Sequence, residues 1–546
     1  SGFDDVFAVA GAARTFVEFE TTFPGYVQFN IDGPYDSTII VRAPTNGTMV
    51  ITGSTTDSLL YEYTPDLGFI GIDTVILRVC KEFNCAGEDK LECVDVQIIF
   101  DVNCTVGNVG NEDFILWLKA DDGPNTSTDG STFDVWFDRG IESRHALQYT
   151  LGTNPTYNTN VVNNFPAIRF DGTQTLQMQD LVSGDKTFFT VLNAFEYENY
   201  LSWTAGNDSL NFHNGSDAVA NSGDASTLNT GLINGTGWHI AELKIAHNTA
   251  NGVQTYLDGT LISQTTWADS LDLLTGGFLG SASGLRFMNG YIAEMVAYDR
   301  VLNAVESKDI ETYLALKYGM TLAMPYTVEG ADVYNHAGYA NNIAGLGVDF
   351  SMCLDLLESG SINAGEPLRV ESPGLNNANF LIWGDDGFPA AANATVGVPE
   401  PATYDERLRR TWRVESVGLP GAVTLKFYLP LLGSRPKDPN DYALFVDDDT
   451  DFTADATKYT GAISNDTLYF TGVTFNDDDF FTLAVPSLCA PGGVDTNIAI
   501  WLRADEGTGS STDGDGLSYW YDRREYGFHG IQLAANKPVY NANVLN

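Results

Sequence analysis

Residues 73–79 read DTVILRV and residues 94–100 read VDVQIIF. Each is a short run of β-branched and aliphatic residues, the pattern of a strand rather than a helix. Working outward, Cys80 ends the first run and Cys93 begins the second, so the two predict facing positions across a hairpin. Cys85, placed in the connecting turn, competes for the same partner, and spacing alone leaves the connectivity open. Similar runs return at 38–41 (TIIV), 188–192 (FFTVL), 422–428 (AVTLKFY) and 480–485 (FFTLAV). The 54 glycines suit tight turns between them. One segment, 304–318, reads as a helix: Asn303 is a good N-cap, Glu306 sits at the capping-box position and Gly319 follows as a stop. The fold class expected is therefore all-β, a series of β-sandwiches carrying one helix.

Composition sets the outer bounds. At roughly 150 residues per domain, 546 residues predict several domains rather than one. Apolar residues make up 43% and aromatics 12%, enough to fill several cores. Against 72 Asp and Glu stand 28 Lys and Arg, a net charge of −44. That balance argues against nucleic acid and bare anionic lipid as partners, and it suits divalent cations. No apolar run reaches the ~18 residues of a membrane span. The opening SGFDDVFAVAGAART lacks the basic and apolar regions of a signal peptide, so any export signal is expected upstream. The six cysteines form no CxxC pair, and the six histidines form no HxH or HExxH. Structural disulfides in an oxidising compartment are expected, and a zinc site is not.

An internal repeat organises the chain. Residues 113–148 read DFILWLKADDGPNTSTDGSTFDVWFDRGIESRHALQ, and residues 497–532 read NIAIWLRADEGTGSSTDGDGLSYWYDRREYGFHGIQ. At an offset of 384, 14 of 36 positions are identical, among them Trp117/Trp501, Asp121/Asp505, Asp129/Asp513, Trp136/Trp520, Asp138/Asp522, Arg139/Arg523 and His145/His529. After one deletion Pro155, Tyr157, Asn158 and Asn160 match Pro538, Tyr540, Asn541 and Asn543. So long a period means a tandem array of whole multi-domain modules, not a solenoid. The second copy reaches Asn546 about a quarter of the way into its unit. Two readings follow: the natural chain continues, or a neighbouring chain completes the sandwich by strand complementation. The expected domains are 1–103, a first β-sandwich; 104–325, the first repeat copy through the helix; 326–487, a second β-sandwich domain; and 488–546, the incomplete copy.

The segments GWHIAELKI, TYLDGTLIS and GYIAEMVAYDRVLNAVE within 237–306 resemble the LamG-like, concanavalin A-like jelly-roll family. Trp238, His239, Tyr256, Asp258, Gly259, Gly290, Ile292, Glu294, Tyr298 and Arg300 fill its recurring places, and 169–172 look like its early FDG strand. The later segments IETYLALKYGMTL, NIAGLGVDFSMCLDL, FLIWGDDG and RLRRTWRVESVG resemble large, repetitive secreted surface proteins of Bacteroidetes, in which a second β domain follows the LamG-like one. Residues 1–103 resemble the Ig-like or cadherin-like modules of such proteins. The resemblance implies type IX secretion, a cell-surface location and, for some members, adhesion in gliding cells. It also implies a Cys104–Cys353 pair within one module, leaving Cys489 to a partner beyond Asn546.

Candidate chemistry is sparse. A jelly-roll glucanase needs two strand carboxylates about 5–5.5 Å apart for a retaining mechanism. The matching motif is absent, and the nearest string, Glu306 to Glu311, lies on the expected helix. No GxSxG, P-loop or dinucleotide fingerprint occurs, so no catalytic residue is assigned and no enzyme is expected. Calcium is the one cofactor considered, at VDDDTDF (446–452), where Asp447, Asp449 and Asp451 alternate as oxygen donors; a solvated acidic turn is the competing reading. Asp477 to Asp479, Asp513 and Asp515 read as solvated loops; Asp121, Asp129 and Asp138 read either as lining a calcium site near the first strands or, the favoured reading, as structure, with an Asp138–Arg139 ion pair in a turn. His145 reads as a hydrogen-bonded structural residue. For sugar binding, Tyr200, Trp203 and Trp267 are the loop-edge aromatics available, with core filling as the alternative, whereas Trp117, Trp136 and Trp238 read as core. Arg409, Arg410 and Arg413 around Trp412 are expected to pair with carboxylates and lock a domain interface. The expected role is a non-enzymatic adhesive or structural segment of an extracellular surface protein, contacting glycans, surfaces or copies of itself. The alternatives are a carbohydrate-binding module and a self-assembling fibre or sheath subunit.

Overall fold

The computed structural model describes residues 3–9, 14–16, 37–54, 59–66, 71–85, 88–109, 114–140, 143–149, 152–195, 199–205, 208–213, 217–220, 225–228, 237–267, 275–282, 285–391, 393–394, 406–418, 420–433, 438–485, 500–504, 508, 513–520, 530–531 and 537–541. The chain is all-β but for a single α-helix among the described residues. It divides into two units, 1–111 with 349–355, and 112–348 with 356–546.

In the first unit, Phe3–Val9, Glu88–Asn103, Gly71–Cys85 and Ser37–Arg42 form a four-stranded sheet in that order, the outer strand Phe3–Val9 running parallel to its neighbour. Arg14–Phe16, Leu59–Pro65 and Gly47–Ser54 form a second sheet. The hairpin expected from 73–79 and 94–100 is longer than those runs: Gly71–Cys85 pairs with Glu88–Asn103, with Cys80 opposite Cys93 and a disulfide joining them. Cys85 therefore lies at the end of a strand opposite Glu88, not in the turn, because β-pairing continues through polar residues beyond the apolar run. Tyr63 stacks on Phe100 with centroids 3.9 Å apart. Buried Asp73 pins the 45–46 loop, its carboxylate accepting the N–H of Thr45 and Asn46 and the hydroxyl of Tyr63. Burial opposes the charge on Asp73, but these bonds outweigh it and hold the carboxyl below its ordinary range. A disulfide joins Cys104 to Cys353 in the 349–355 loop, which belongs to this unit, and the Thr105 N–H donates to Ser351 O at 3.1 Å.

The second unit contains two successive sandwiches. In the first, one sheet runs Thr156–Val162, Phe165–Asp171, Asn289–Tyr298, Lys186–Ala194, His239–Ile245, Thr249–Leu257, Thr260–Trp267, and Phe114–Lys119 also pairs with Asn289–Tyr298. A facing eight-stranded sheet spans Val135–Trp136 to Ala225–Leu228. Between them lies a core of Leu116, Leu118, Trp136, Ile168, Phe170, Leu192, Leu243, Ile292 and Met295. In the second sandwich a nine-stranded sheet faces a five-stranded one, packed on Trp383, Trp412, Phe427, Phe470 and Phe481.

The helix Ala304–Tyr318, α1, has the ends read from sequence. Asn303 accepts the N–H groups of Val305 and Glu306, Glu306 returns a bond to the Asn303 N–H, and Gly319 closes the helix at φ 65°. Its last two turns are buried almost all round. Asn163 ties its C-terminus to the second sandwich, donating to Lys317 O at 2.9 Å and Ser359 Oγ at 3.1 Å while accepting the Gly360 N–H. A Cβ on Gly319 would fall 2.3 Å from Gly360 O, so glycine is needed there both for its φ and for this approach.

The second repeat copy keeps the turn bonds of the first. Trp136 Nε1 donates to Lys119 O at 2.9 Å and Trp520 Nε1 to Arg503 O at 2.8 Å. The Gly130 N–H reaches Tyr157 O as the Gly514 N–H reaches Tyr540 O, both at 2.8 Å. Burial differs: Leu116 is fully buried, whereas its counterpart Ile500 is 52% exposed.

Candidate ligand-binding face

The jelly-roll sheet bearing Asn289–Tyr298 has one face on the core and one facing outward. Ile168, Phe170, Leu192, Ala194 and Ile292 point to the core. The alternating residues Arg169, Asn193 and Tyr291 therefore point outward. They form one row: Arg169 pairs with Tyr291, and Tyr291 with Asn193. Leu192 pairs with His239, so Trp238, one residue earlier, extends the row opposite Asn193. Trp238 and Tyr291 meet with ring centroids 6.1 Å apart, and Phe195, two residues beyond Asn193, meets Tyr291 edge-on at 5.8 Å. The Arg169 guanidinium sits 5.2 Å from the Phe195 centroid and 5.4 Å from that of Tyr291. It donates to Asn289 Oδ1 at 2.6 Å and Gly290 O at 3.2 Å. Gly290 lets the strands close here, since a Cβ would stand 2.3 Å from Asn193 O. Arg169, Asn193, Trp238 and Tyr291 are half-buried, and Phe195 is 41% exposed. Aromatic rings open to solvent beside an amide and a guanidinium suit a ligand with an apolar face and polar edges.

Towards α1 the same outward face closes over a charged cluster. Trp117 Nε1 donates to Glu294 Oε1 at 2.6 Å, while Lys317 Nζ and the Tyr318 hydroxyl each donate to Glu294 Oε2 at 2.7 Å. Lys317 also reaches Asp121 at 3.1 Å. Burial opposes both charges, yet Lys317 is held well above its ordinary value by Asp121 and Glu294, and Asp121 is held low by Lys317 and Lys119. Nearby, burial and the neighbouring Glu311 push Glu242 up to about 7. Glu242 on the sheet and Glu311 on α1 are both buried, each with a lysine alongside, at 3.4 Å for Lys244 and 2.6 Å for Lys308.

The residues singled out in the sequence divide as follows. Trp117 and Trp136 are buried, but Trp238, read as core, is only partly buried, on the outward face against Tyr291. Tyr200 and Trp203 lie in the strand Asn199–Ala205 and Trp267 closes Thr260–Trp267, so none is a loop residue; their side chains fall outside the described residues. Asp447, Asp449 and Asp451 are not gathered into a calcium shell. Asp447 is buried and accepts the Asp448 N–H on Oδ1, its Oδ2 being without a partner among the described residues; Asp449 accepts the Asp451 N–H, and Asp451 accepts the Thr453 hydroxyl. Among the described residues no three His, Cys, Asp or Glu side chains converge as metal ligands. Asp138 is a buried turn anchor that accepts the N–H groups of Trp117, Gly140 and Arg144, with His145 Nδ1 accepting the Asp138 N–H. Arg139 pairs with Asp122 at 2.8 Å, not with Asp138, whose oxygens the backbone has taken. Arg410 is buried against Glu366 and Asp385, Arg413 pairs with Asp478, and Arg409 lies 4.1 Å from the Phe388 centroid. These partners all lie within the second sandwich, so the cluster braces that sandwich rather than an interface. Cys489 falls outside the described residues.

Residues 306–479 match a family described as Domain of unknown function (DUF8202). No curated protein matches. Among solved structures, domain 4 of AbnA, a GH43 extracellular arabinanase from Geobacillus stearothermophilus in complex with arabinotriose, aligns at 14% identity and TM-score 0.27 over 37% of this chain and 98% of that one. Trypanosoma rangeli sialidase in complex with sialic acid aligns at 14% identity and TM-score 0.25, over 51% of this chain and 44% of that one. The binding domain of Botulinum Neurotoxin DC in complex with SialylT aligns at 11% and 0.27, over 69% and 95%. The chain thus spans under half the length of the sialidase it matches. No helix among the described residues is long and apolar enough to cross a membrane.

Proposed function

We propose that this chain is a non-enzymatic segment of an extracellular bacterial surface protein and that its jelly roll holds saccharide on the outward row Arg169, Tyr291, Asn193 and Trp238. The observation that carries this reading is the row itself: aromatic rings and polar groups on adjacent strands, backed by a packed core, with solvent before them. Pyranose rings offer C–H faces to such rings and hydroxyls to such polar groups. Two disulfides support an oxidising location. The carboxylates with the most displaced titration, Glu242 and Glu366, support a non-catalytic reading because both are buried and neither meets solvent substrate. Saccharide titration followed by tryptophan fluorescence tests the proposal, after a glycan array has chosen the ligand. Trp238→Ala and Tyr291→Ala are expected to abolish binding without unfolding the chain. An array without hits at high protein concentration, or unchanged affinity in both variants, would refute it.

A further inference from the structure

Carboxylates outnumber cationic side chains 72 to 28, so acidic partners are plentiful for an arginine here. Arg78, Arg139, Arg300, Arg369, Arg410 and Arg413 each pair with one. Arg169 does not. Its partners are the neutral oxygens of Asn289 and Gly290 and the rings of Phe195 and Tyr291. The nearest acid on its strand and face, Asp171, spends Oδ1 on the backbone and hydroxyl of Thr173. The guanidinium is thus fixed by two hydrogen bonds and flanked by two rings, with further N–H donors unspent. We propose that the ligand of this face is an acidic saccharide, whose carboxylate pairs with Arg169 while its ring lies on Tyr291 and Trp238. This rests on the saccharide reading above.

The charge of the whole molecule limits which acidic saccharide fits. A polyanion would meet repulsion along its length, whereas the field of distant carboxylates fades over a screening length of about 8 Å at physiological salt. A single carboxylate placed against a half-buried guanidinium gains a charge-assisted bond at short range. The structure therefore favours a sugar with one acidic residue, such as a chain end, over a uniformly charged polymer.

Matched sugar pairs that differ only in a carboxylate test the inference on the whole chain: methyl glucuronide against methyl glucoside, and the galacto and manno equivalents, followed by NMR titration. The acidic member of one pair is expected to bind about tenfold more tightly, with the preference growing at low salt. Arg169→Gln should erase the preference, so that within that variant the acidic and neutral members of the pair bind equally. The salt dependence in the unaltered chain supplies a second readout should that variant unfold. Equal affinity within every pair, or a preference unmoved by both salt and Arg169→Gln, would overturn the acidic ligand and leave the saccharide reading standing. Failure of both members of every pair to bind at millimolar concentration would remove both.

Discussion

Trp117 and Trp238 stand on the same outward face of the same sheet, and they meet different fates. Trp117 is 4% exposed under α1, with its indole N–H on Glu294. Trp238 is half-buried, touching Tyr291. Period-2 alternation sets which face a side chain takes; a helix arriving from elsewhere in sequence decides whether that face is core or surface. The covered half serves cohesion, and the open half is free to meet a ligand.

The largest effect expected separates these two tryptophans. Trp117→Ala removes a buried indole, a loss of about 3–5 kcal/mol for a core Trp, and it strips a donor from Glu294 besides. Trp238→Ala should cost less, about 2 kcal/mol, because a partly buried ring forfeits only part of the burial energy of an aromatic. Chemical denaturation of both variants checks this, and equal losses would show that Trp238 is core after all. Next comes Lys317→Met. Removing one partner of a buried ion pair costs about 3–5 kcal/mol because the other charge is left without compensation. Here Tyr318 and Trp117 still donate to Glu294, which places the loss at the lower end. The double variant Lys317→Met, Glu294→Gln should recover most of it. Saccharide binding at the open row should survive Lys317→Met, and its loss would mean that the two halves of the face act as one.

Much of the fold was legible because its signals are local. The capping box at Asn303 and Glu306 and the stop at Gly319 are contained in 17 consecutive residues, and the structure has all three in place. Strands such as Phe480–Val485 show their own β-branched and aromatic character. The repeat is local in the same sense: its tryptophan-to-carbonyl bond recurs at Trp520 even where Ile500 stays exposed. The candidate site is not local. Arg169, Asn193 and Tyr291 come from three strands and Trp238 from the residue before a fourth, spread over more than a hundred residues, and only the sheet order aligns them. Sequence alternation marks Trp238 as one of two faces, but it carries no sign of where α1 ends. Asp447, Asp449 and Asp451 were legible only as two alternatives for a related reason, since an acidic alternation has the same appearance whether its oxygens accept backbone N–H groups or a cation.

The smallest effect is a pH dependence that the covered half should show and the open half should not. Burial, then the charge of Glu311, pushes the Glu242 carboxyl to about 7 from an ordinary 4.5. Between those values the folded chain keeps a proton that the unfolded chain has released, so folding is favoured most below the lower value and loses that share as pH rises through the upper one. Glu366, raised to about 7 by burial in the second sandwich, acts with the same sign. Asp121 acts oppositely: held below 3.8 by Lys317 and Lys119 against the pull of burial, it adds stability above its ordinary value and loses it only as pH falls further. The windows therefore do not overlap, and the melting temperature should fall from pH 5 to pH 7. Glu242→Gln and Glu366→Gln should each flatten part of that slope. Glu242 and Glu366 take no part in the outward row, so saccharide affinity should hold steady across the same range while stability declines. A melting temperature that rises between pH 5 and pH 7 would mean that Glu242 is ionised and satisfied by Lys244, and that the covered half is held by a salt bridge rather than by a proton.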